Sequence, residues 1–142
     1  MTTTSSTDGS GPVRLVRSEQ LTPSVPYAYA ATTDRPGRLL FTAGACPLDD
    51  ECRVVSPGDV VAQTEQVIAN LRTVLQEAGA DLTSVVKSTV YVASTRAEDL
   101  HAAWDVVARA FGEHDAPSTL LGVTVLGWPD QLVEVEAVAV LP

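Results

Sequence analysis

The stretch Gln131-Leu-Val-Glu-Val-Glu-Ala-Val-Ala-Val-Leu141 decides the fold of this chain. It alternates with a period of two, which only a strand explains. Side chains two apart in a strand share a face, so Glu134, Glu136, Val138 and Val140 look one way, and Val133, Val135, Ala137 and Ala139 look the other. The second set is wholly apolar. A carboxylate sharing its face with valines is either at a solvated sheet edge or lining a pocket. The pocket reading would suit it to proton transfer.

Working outward, the period changes from Pro57 on. Val60, Val61, Thr64, Val67, Ile68, Leu71, Val74, Leu75 and Ala78 recur at helical spacing, and Gly79 stands just past the end as a C-cap. The spacing predicts a helix of about five turns. Val85–Val92 is rich in β-branched residues and reads as a strand. A second helix is expected over Ala97–Glu113, with Leu100, Ala103, Trp104, Val107, Ala110 and Phe111 on its core stripe. Pro117 separates it from a strand over Thr119–Leu126, and Gly127-Trp-Pro-Asp130 turns the chain into the final strand. Upstream, Val13–Arg17 reads as a short strand. The segments Tyr27–Ala31 and Arg38–Gly44 flank the turn signal Asp34-Arg-Pro-Gly37 and read as a hairpin. The order is ββαβαββ, an α+β pattern whose two helices are long enough to cover one face of a mixed sheet. Residues 1–12 are a Thr/Ser/Gly-rich tail expected to be disordered, and 13–142 form one domain.

Composition narrows the function classes. The chain has 142 residues, 45% of them hydrophobic but only 5% aromatic, and a formal net charge of −9. One Lys and eight scattered Arg offer no basic stripe for a phosphate backbone, so no nucleic-acid partner is expected. No apolar run is long enough to span a bilayer, and none forms the apolar core of a secretory signal, so no membrane is expected and a cytoplasmic location is. Cys46 and Cys52 flank the turn-like Pro47-Leu-Asp-Asp-Glu51, where a disulfide is geometrically possible; a reducing compartment would leave both thiols free. Two cysteines with no His beside them make no recognisable metal site.

The helix Ala62-Gln-Thr-Glu-Gln-Val…Asn70-Leu…Leu75-Gln-Glu-Ala-Gly-Ala80, followed by Val85-Val-Lys-Ser-Thr-Val-Tyr-Val92 and then Val133-Glu-Val-Glu-Ala-Val-Ala139, resembles the Rid (YjgF-like) family of enamine/imine deaminases over nearly the whole chain from Pro26 to Leu141. The resemblance implies a chorismate-mutase-like α+β fold, a homotrimer, and small-molecule sites in clefts between subunits. It implies cofactor-free, metal-free hydrolysis of reactive imines, with an Arg holding the substrate carboxylate, a Glu and a backbone carbonyl positioning water, and a Tyr lining the pocket.

Carried over residue by residue, the Glu falls on Glu134 and the Tyr on Tyr27. The family's Thr-Ser-Gly-Gln-x-Pro loop is here Thr42-Ala-Gly-Ala-Cys-Pro47, which keeps Gly44 and Pro47 but has Ala43 and Ala45 in place of Ser and Gln. In Ala116-Pro-Ser-Thr-Leu-Leu-Gly-Val123 the Arg position falls on Ser118, or on Thr119 if the prolines are aligned, and the family Cys becomes Leu120 or Leu121. Neither hydroxyl can pair with a carboxylate as a guanidinium does, a loss of about 1.5–3 kcal/mol for a charge-assisted contact. The expected substrate is therefore an imine, enamine or similar intermediate other than a 2-imino acid.

The remaining candidates carry alternatives. Cys46, on the pocket loop, is either a reactive thiol or buried filler, and no base is in view to activate it. Arg96 either partly replaces the missing charge or is solvated. Trp128 either walls the cleft or staples the final turn. Glu136 is expected to pair with a neighbouring chain or face solvent, and His101 and His114 to sit on the surface or at a cap. Besides the hydrolase, with a role in specialised metabolism, a non-catalytic metabolite-binding or regulatory trimer remains open. Ribonuclease activity, attached to relatives, is disfavoured by the charge.

Overall fold

Alternation in the C-terminal stretch becomes an eight-residue strand, and the whole sheet is organised around it. The computed structural model describes residues 12–34 and 37–142. The tail reading of residues 1–12 and the turn at 34–37 fall mostly on residues 1–11 and 35–36, which lie outside the described residues. The elements are β1 (Arg14–Val16), β2 (Ala30–Thr32), β3 (Leu39–Phe41), α1 (Val60–Glu77), a 3₁₀ turn (Leu82–Ser84), β4 (Val85–Val92), α2 (Ala97–Phe111), β5 (Ser118–Gly122) and β6 (Val133–Val140). The main sheet runs β3-β6-β4-β5. It is mixed: β6 is antiparallel to β3 and β4, whereas β5 is parallel to β4.

Both helices cover one face of this sheet, giving the expected α+β architecture. Val133, Val135, Ala137 and Ala139 are buried beneath them with Val90 and Val92 of β4 and Val67, Leu71 and Leu75 of α1. Fully burying a side chain such as Leu71 or Leu75 contributes about 1.5–3 kcal/mol. Asp59 starts α1 by accepting a hydrogen bond from the Ala62 N–H at 2.9 Å. Gly79, at φ +84°, takes the left-handed conformation that ends it.

Three sequence readings are corrected. Tyr27–Ala31 and Arg38–Gly44 do not pair as a hairpin: β2 pairs with β1, and β3 pairs with β6. The element order is βββαβαββ, the short strand at Arg14–Val16 adding to the expected ββαβαββ. The strand expected over Thr119–Leu126 ends at Gly122. There the backbone passes so close to the Ser94 carbonyl that a Cβ would lie 2.9 Å from its oxygen; the Val123 N–H makes one last bond to β4, donating to Val92 O at 2.8 Å, and residues 124–126 run on outside the strand. The second helix stops at Phe111, and Gly112 at φ +59° follows it.

Candidate active site

Glu134 lies on the uncovered face of the sheet, where the loop after β3 runs beside β6. Thr42 and Ala45 both bond to β6: the Thr42 N–H donates to Ala137 O at 3.0 Å, and the Ala45 N–H to Val135 O at 2.7 Å. Ala43 and Gly44 bulge between them, opposite Glu136. The bulge brings the Gly44 backbone against the Glu134 side chain, so a Cβ on Gly44 would lie 2.3 Å from Glu134 Oε1. Gly44 is needed for room here and not for a turn. Asn70 of α1 fixes the next turn of the loop, donating to Cys46 O at 2.9 Å and Leu48 O at 3.0 Å. Buried Gln63 does the same for the turn before β6, donating to Asp130 O at 2.9 Å and accepting from the Leu132 N–H at 2.7 Å.

The Cys46 thiol donates to Glu134 Oε1 at 3.4 Å and lies 3.5 Å from Gly44 O. Burial, reinforced by the hydrogen bond to the Glu134 carboxylate, pushes its pKa up to about 11, against smaller opposing hydrogen bonds from Gln131 and Trp128. Cys46 is thus a proton-bearing donor at neutral pH and not a thiolate. Both cysteines are free. Alkylation by iodoacetamide at neutral pH is expected to proceed much more slowly at Cys46 than at exposed Cys52, and to accelerate as pH approaches 11. Peptide mapping by mass spectrometry checks this; rapid neutral-pH labelling of Cys46 would contradict it.

Two cross-sheet rows follow from the register. Glu134, Tyr91 and Leu121 form one, and Glu136, Thr89 and Thr119 form the other. Glu136 accepts a hydrogen bond from the Tyr91 hydroxyl at 2.7 Å, which raises the pKa of the Tyr91 phenol. Glu136 thus has a partner in its own sheet, and it lies on the open face. Lys87 donates from Nζ to Thr119 Oγ1 at 2.7 Å. A cation thus stands beside the position where the resemblance expects the Arg, a position the sequence alone reads as neutral. One ammonium bound to a hydroxyl still lacks the planar fork of a guanidinium. Lys87, Thr89, Glu136, Phe41 and Thr42 together line a hollow of about 230 Å³ on this face.

A larger cavity, about 520 Å³, lies at the edge strand β5. Ser118, Thr119 and Leu120 form its floor, His101 and Trp104 of α2 one wall, and Pro26 and Tyr27 the other. The Tyr27 ring stands nearly perpendicular to those of Trp104 and Tyr29, at centroid distances of 6.4 and 6.2 Å. Ser118 Oγ is bonded to Ser88 Oγ and lies 3.2 Å from Ala116 O.

The candidate residues thus fall into two groups on one chain. Glu134, Ala43, Gly44, Cys46 and Trp128 gather around the loop beside β6, whereas Tyr27, Ser118, Thr119 and Leu120 line the cavity at β5. With strands about 4.8 Å apart, the two rungs between β6 and β5 separate the groups by roughly 10 Å. Arg96 joins neither; it is exposed, 3.8 Å from Glu98. Tyr91, Lys87, Asn70 and Gln63 went unnoticed as site residues, although Gln63 and Asn70 were visible as polar positions on the inward side of a helix otherwise lined with Val, Ile and Leu. His101 and Trp104, expected from their helix positions to be surface and core, both line the cavity. The other histidine, His114, has Nε2 2.8 Å from Val85 O. Among the described residues, no group of three or more His, Cys, Asp or Glu side chains is placed to hold a metal ion, and no helix is long and apolar enough to cross a membrane.

Known proteins share the fold and part of the sequence. The profile of the family described as Endoribonuclease L-PSP matches residues 18–141. A RutC family protein of Pyrococcus abyssi is 37% identical over 117 residues, spanning 82% of this chain and 87% of that protein. A 2-iminobutanoate/2-iminopropanoate deaminase of Capra hircus is 32% identical, spanning 81% and 80%. Among solved structures, the Rid family protein YyfB of Yersinia pestis, itself of unknown function, superposes with a TM-score of 0.83 at 34% identity, covering 92% of this chain and all of that one.

Proposed function

The chain belongs to the Rid (YjgF-like) family, and we propose on that premise that it is a hydrolase of C=N bonds, acting on an imine, enamine or similar labile intermediate, with Glu134 activating water in a cleft between subunits of a homotrimer. The observation that carries this reading is the seat of Glu134. Its carboxylate is pressed into the space left by the missing Cβ of Gly44 and receives the Cys46 thiol, so it is held in one place on an open face. Preorganisation of this kind is what a general base needs.

In the reaction, Glu134 takes a proton from water as the oxygen attacks the C=N carbon and passes that proton on to the nitrogen. The resulting carbinolamine loses its C–N bond, the proton passing from the hydroxyl as ammonia or an amine departs, and a carbonyl product remains. Water is the only co-reactant. A backbone carbonyl near Leu120 assists by accepting a hydrogen bond from the water. The homotrimer is supported by the open sheet face, which leaves Leu39 and Phe41 of β3 and Leu121 of β5 uncovered, at 56%, 70% and 42% exposure. Three copies packing these faces together would bury them.

An uncarboxylated substrate is favoured because no guanidinium stands at Ser118 or Thr119. The test is ammonia release from imines generated in situ by an amine oxidase or an amino-acid oxidase. Turnover is expected with the uncarboxylated imines and not with 2-imino acids. Robust turnover of 2-imino acids that is lost in Lys87→Met would show that Lys87 holds the carboxylate after all. If neither class is hydrolysed, the non-catalytic binding or regulatory reading takes the place of this one. In the same assay Gly44→Ala, which forces Glu134 out of its seat, is expected to lower turnover on the order of 10²-fold with little change in fold stability. Wild-type turnover in Gly44→Ala would mean that the position of Glu134 is immaterial.

A further inference from the structure

We propose that the substrate carries an aryl group, and that the cavity between α2 and β5 is where that group binds; the inference rests on the hydrolase reading but concerns binding. Only 5% of the chain is aromatic, yet Tyr27, Tyr29 and Trp104 stand together here. The Tyr27 ring is held edge-to-face by a neighbour on each side, so the wall is formed before any ligand arrives. Perpendicular and offset contacts are the arrangements that aromatic rings prefer, and a planar ring entering beside Tyr27 and Trp104 extends the same packing. At about 520 Å³ the cavity is in the range of small-molecule sites.

The lining disfavours charged groups. Among the described residues, no Asp, Glu, Lys or Arg lines the cavity. Of its three hydroxyls, Ser118 is engaged with Ser88 and Thr119 receives the Lys87 ammonium from the neighbouring open face, which leaves the Tyr27 phenol on the wall with the Trp104 indole and the His101 imidazole. A charged head group would therefore meet no carboxylate, ammonium or guanidinium of the lining, whereas a flat apolar ring needs none. β5 is the edge strand and Glu134 lies two strands inward on the same chain, so on the proposed trimer a ring held here would present its reactive carbon to the Glu134 of an adjoining copy.

The test uses two stable neutral amides with matched carbon counts, benzamide and cyclohexanecarboxamide, titrated calorimetrically into the full chain. Benzamide is expected to bind at least tenfold more tightly than its saturated counterpart. Trp104→Leu is expected to erase that preference and Trp104→Phe to keep it, which separates ring recognition from simple volume and from misfolding. Equal affinity for the two amides, or a preference untouched by Trp104→Leu, overturns the proposal. The hydrolase reading fails separately: benzamide selectivity without turnover of the imine of benzylamine leaves the aryl site standing, and turnover of aliphatic imines without benzamide selectivity removes only the aryl site.

Discussion

Glu134→Gln is expected to lower imine turnover by about 10²–10⁴-fold, the range that a positioned general base supplies. The substitution is chosen because it removes little else. Glutamine has nearly the same shape, so it fits the space over Gly44 where any Cβ would collide. Its amide oxygen can accept the Cys46 thiol as the carboxylate does. Glu134 is half-buried and takes part in no ion pair among the described residues, so the fold loses no charged partner. The thermal midpoint and the affinity for a neutral ligand should both stay near wild type. That combination separates a catalytic carboxylate from a structural one. Turnover near the wild-type level would remove Glu134 from the mechanism, and a large fall in melting temperature would assign it a structural part instead.

Mixing two inactive chains is expected to restore activity. Leu120→Trp fills the cavity at the edge strand, and Glu134→Gln removes the base; each variant alone should be inactive. The sheet order places the two groups roughly 10 Å apart on one chain, with Tyr91 between them and its hydroxyl committed to Glu136. On the proposed trimer, the two groups that meet one substrate come from different copies. In co-expressed, randomly mixed chains a site is then intact when its cavity comes from a Glu134→Gln chain and its carboxylate from a Leu120→Trp chain. Each condition holds for half the chains, so recovery of about one quarter of wild-type activity is expected from the symmetry of the ring. Sedimentation equilibrium on the same samples reads the oligomeric state. No recovery in mixtures that are demonstrably trimeric would place the whole site within one chain.

The elements that a local pattern could reveal were legible in the residues themselves. The alternation of Val133–Ala139 sorts the buried face from the open one, and the same four side chains are buried in the structure. The helix ending before Gly79 was readable because its apolar stripe and its C-cap lie within one stretch of chain. The hairpin was misread for the complementary reason. Leu39–Phe41 is a three-residue strand whose partner is Val138–Val140, far along the sequence, and nothing local distinguishes that pairing from one with its neighbour.

Site residues divide along the same line. Glu134 could be singled out because a carboxylate in an apolar strand is anomalous by composition alone, and Tyr27 and Gly44 because they match a motif. The contact between Gly44 and Glu134 was hidden, since it depends on a bulge that sets two residues of one segment against one of another. Lys87 reached Thr119, and Tyr91 reached Glu136, only when parallel and antiparallel pairing fixed the registers of β4, β5 and β6. Trp104 and His101 joined Tyr27 only when α2 was laid against the sheet edge. By itself, then, the sequence determined the helices, the central strand, its two faces and the family to which the chain belongs, because periodicity and motif act over neighbouring residues. Which strands pair, which side chains meet the carboxylate, and that the candidate residues form two separate groups were decided by the tertiary structure alone, because contact across a sheet is set by register and sheet order, which no local pattern encodes.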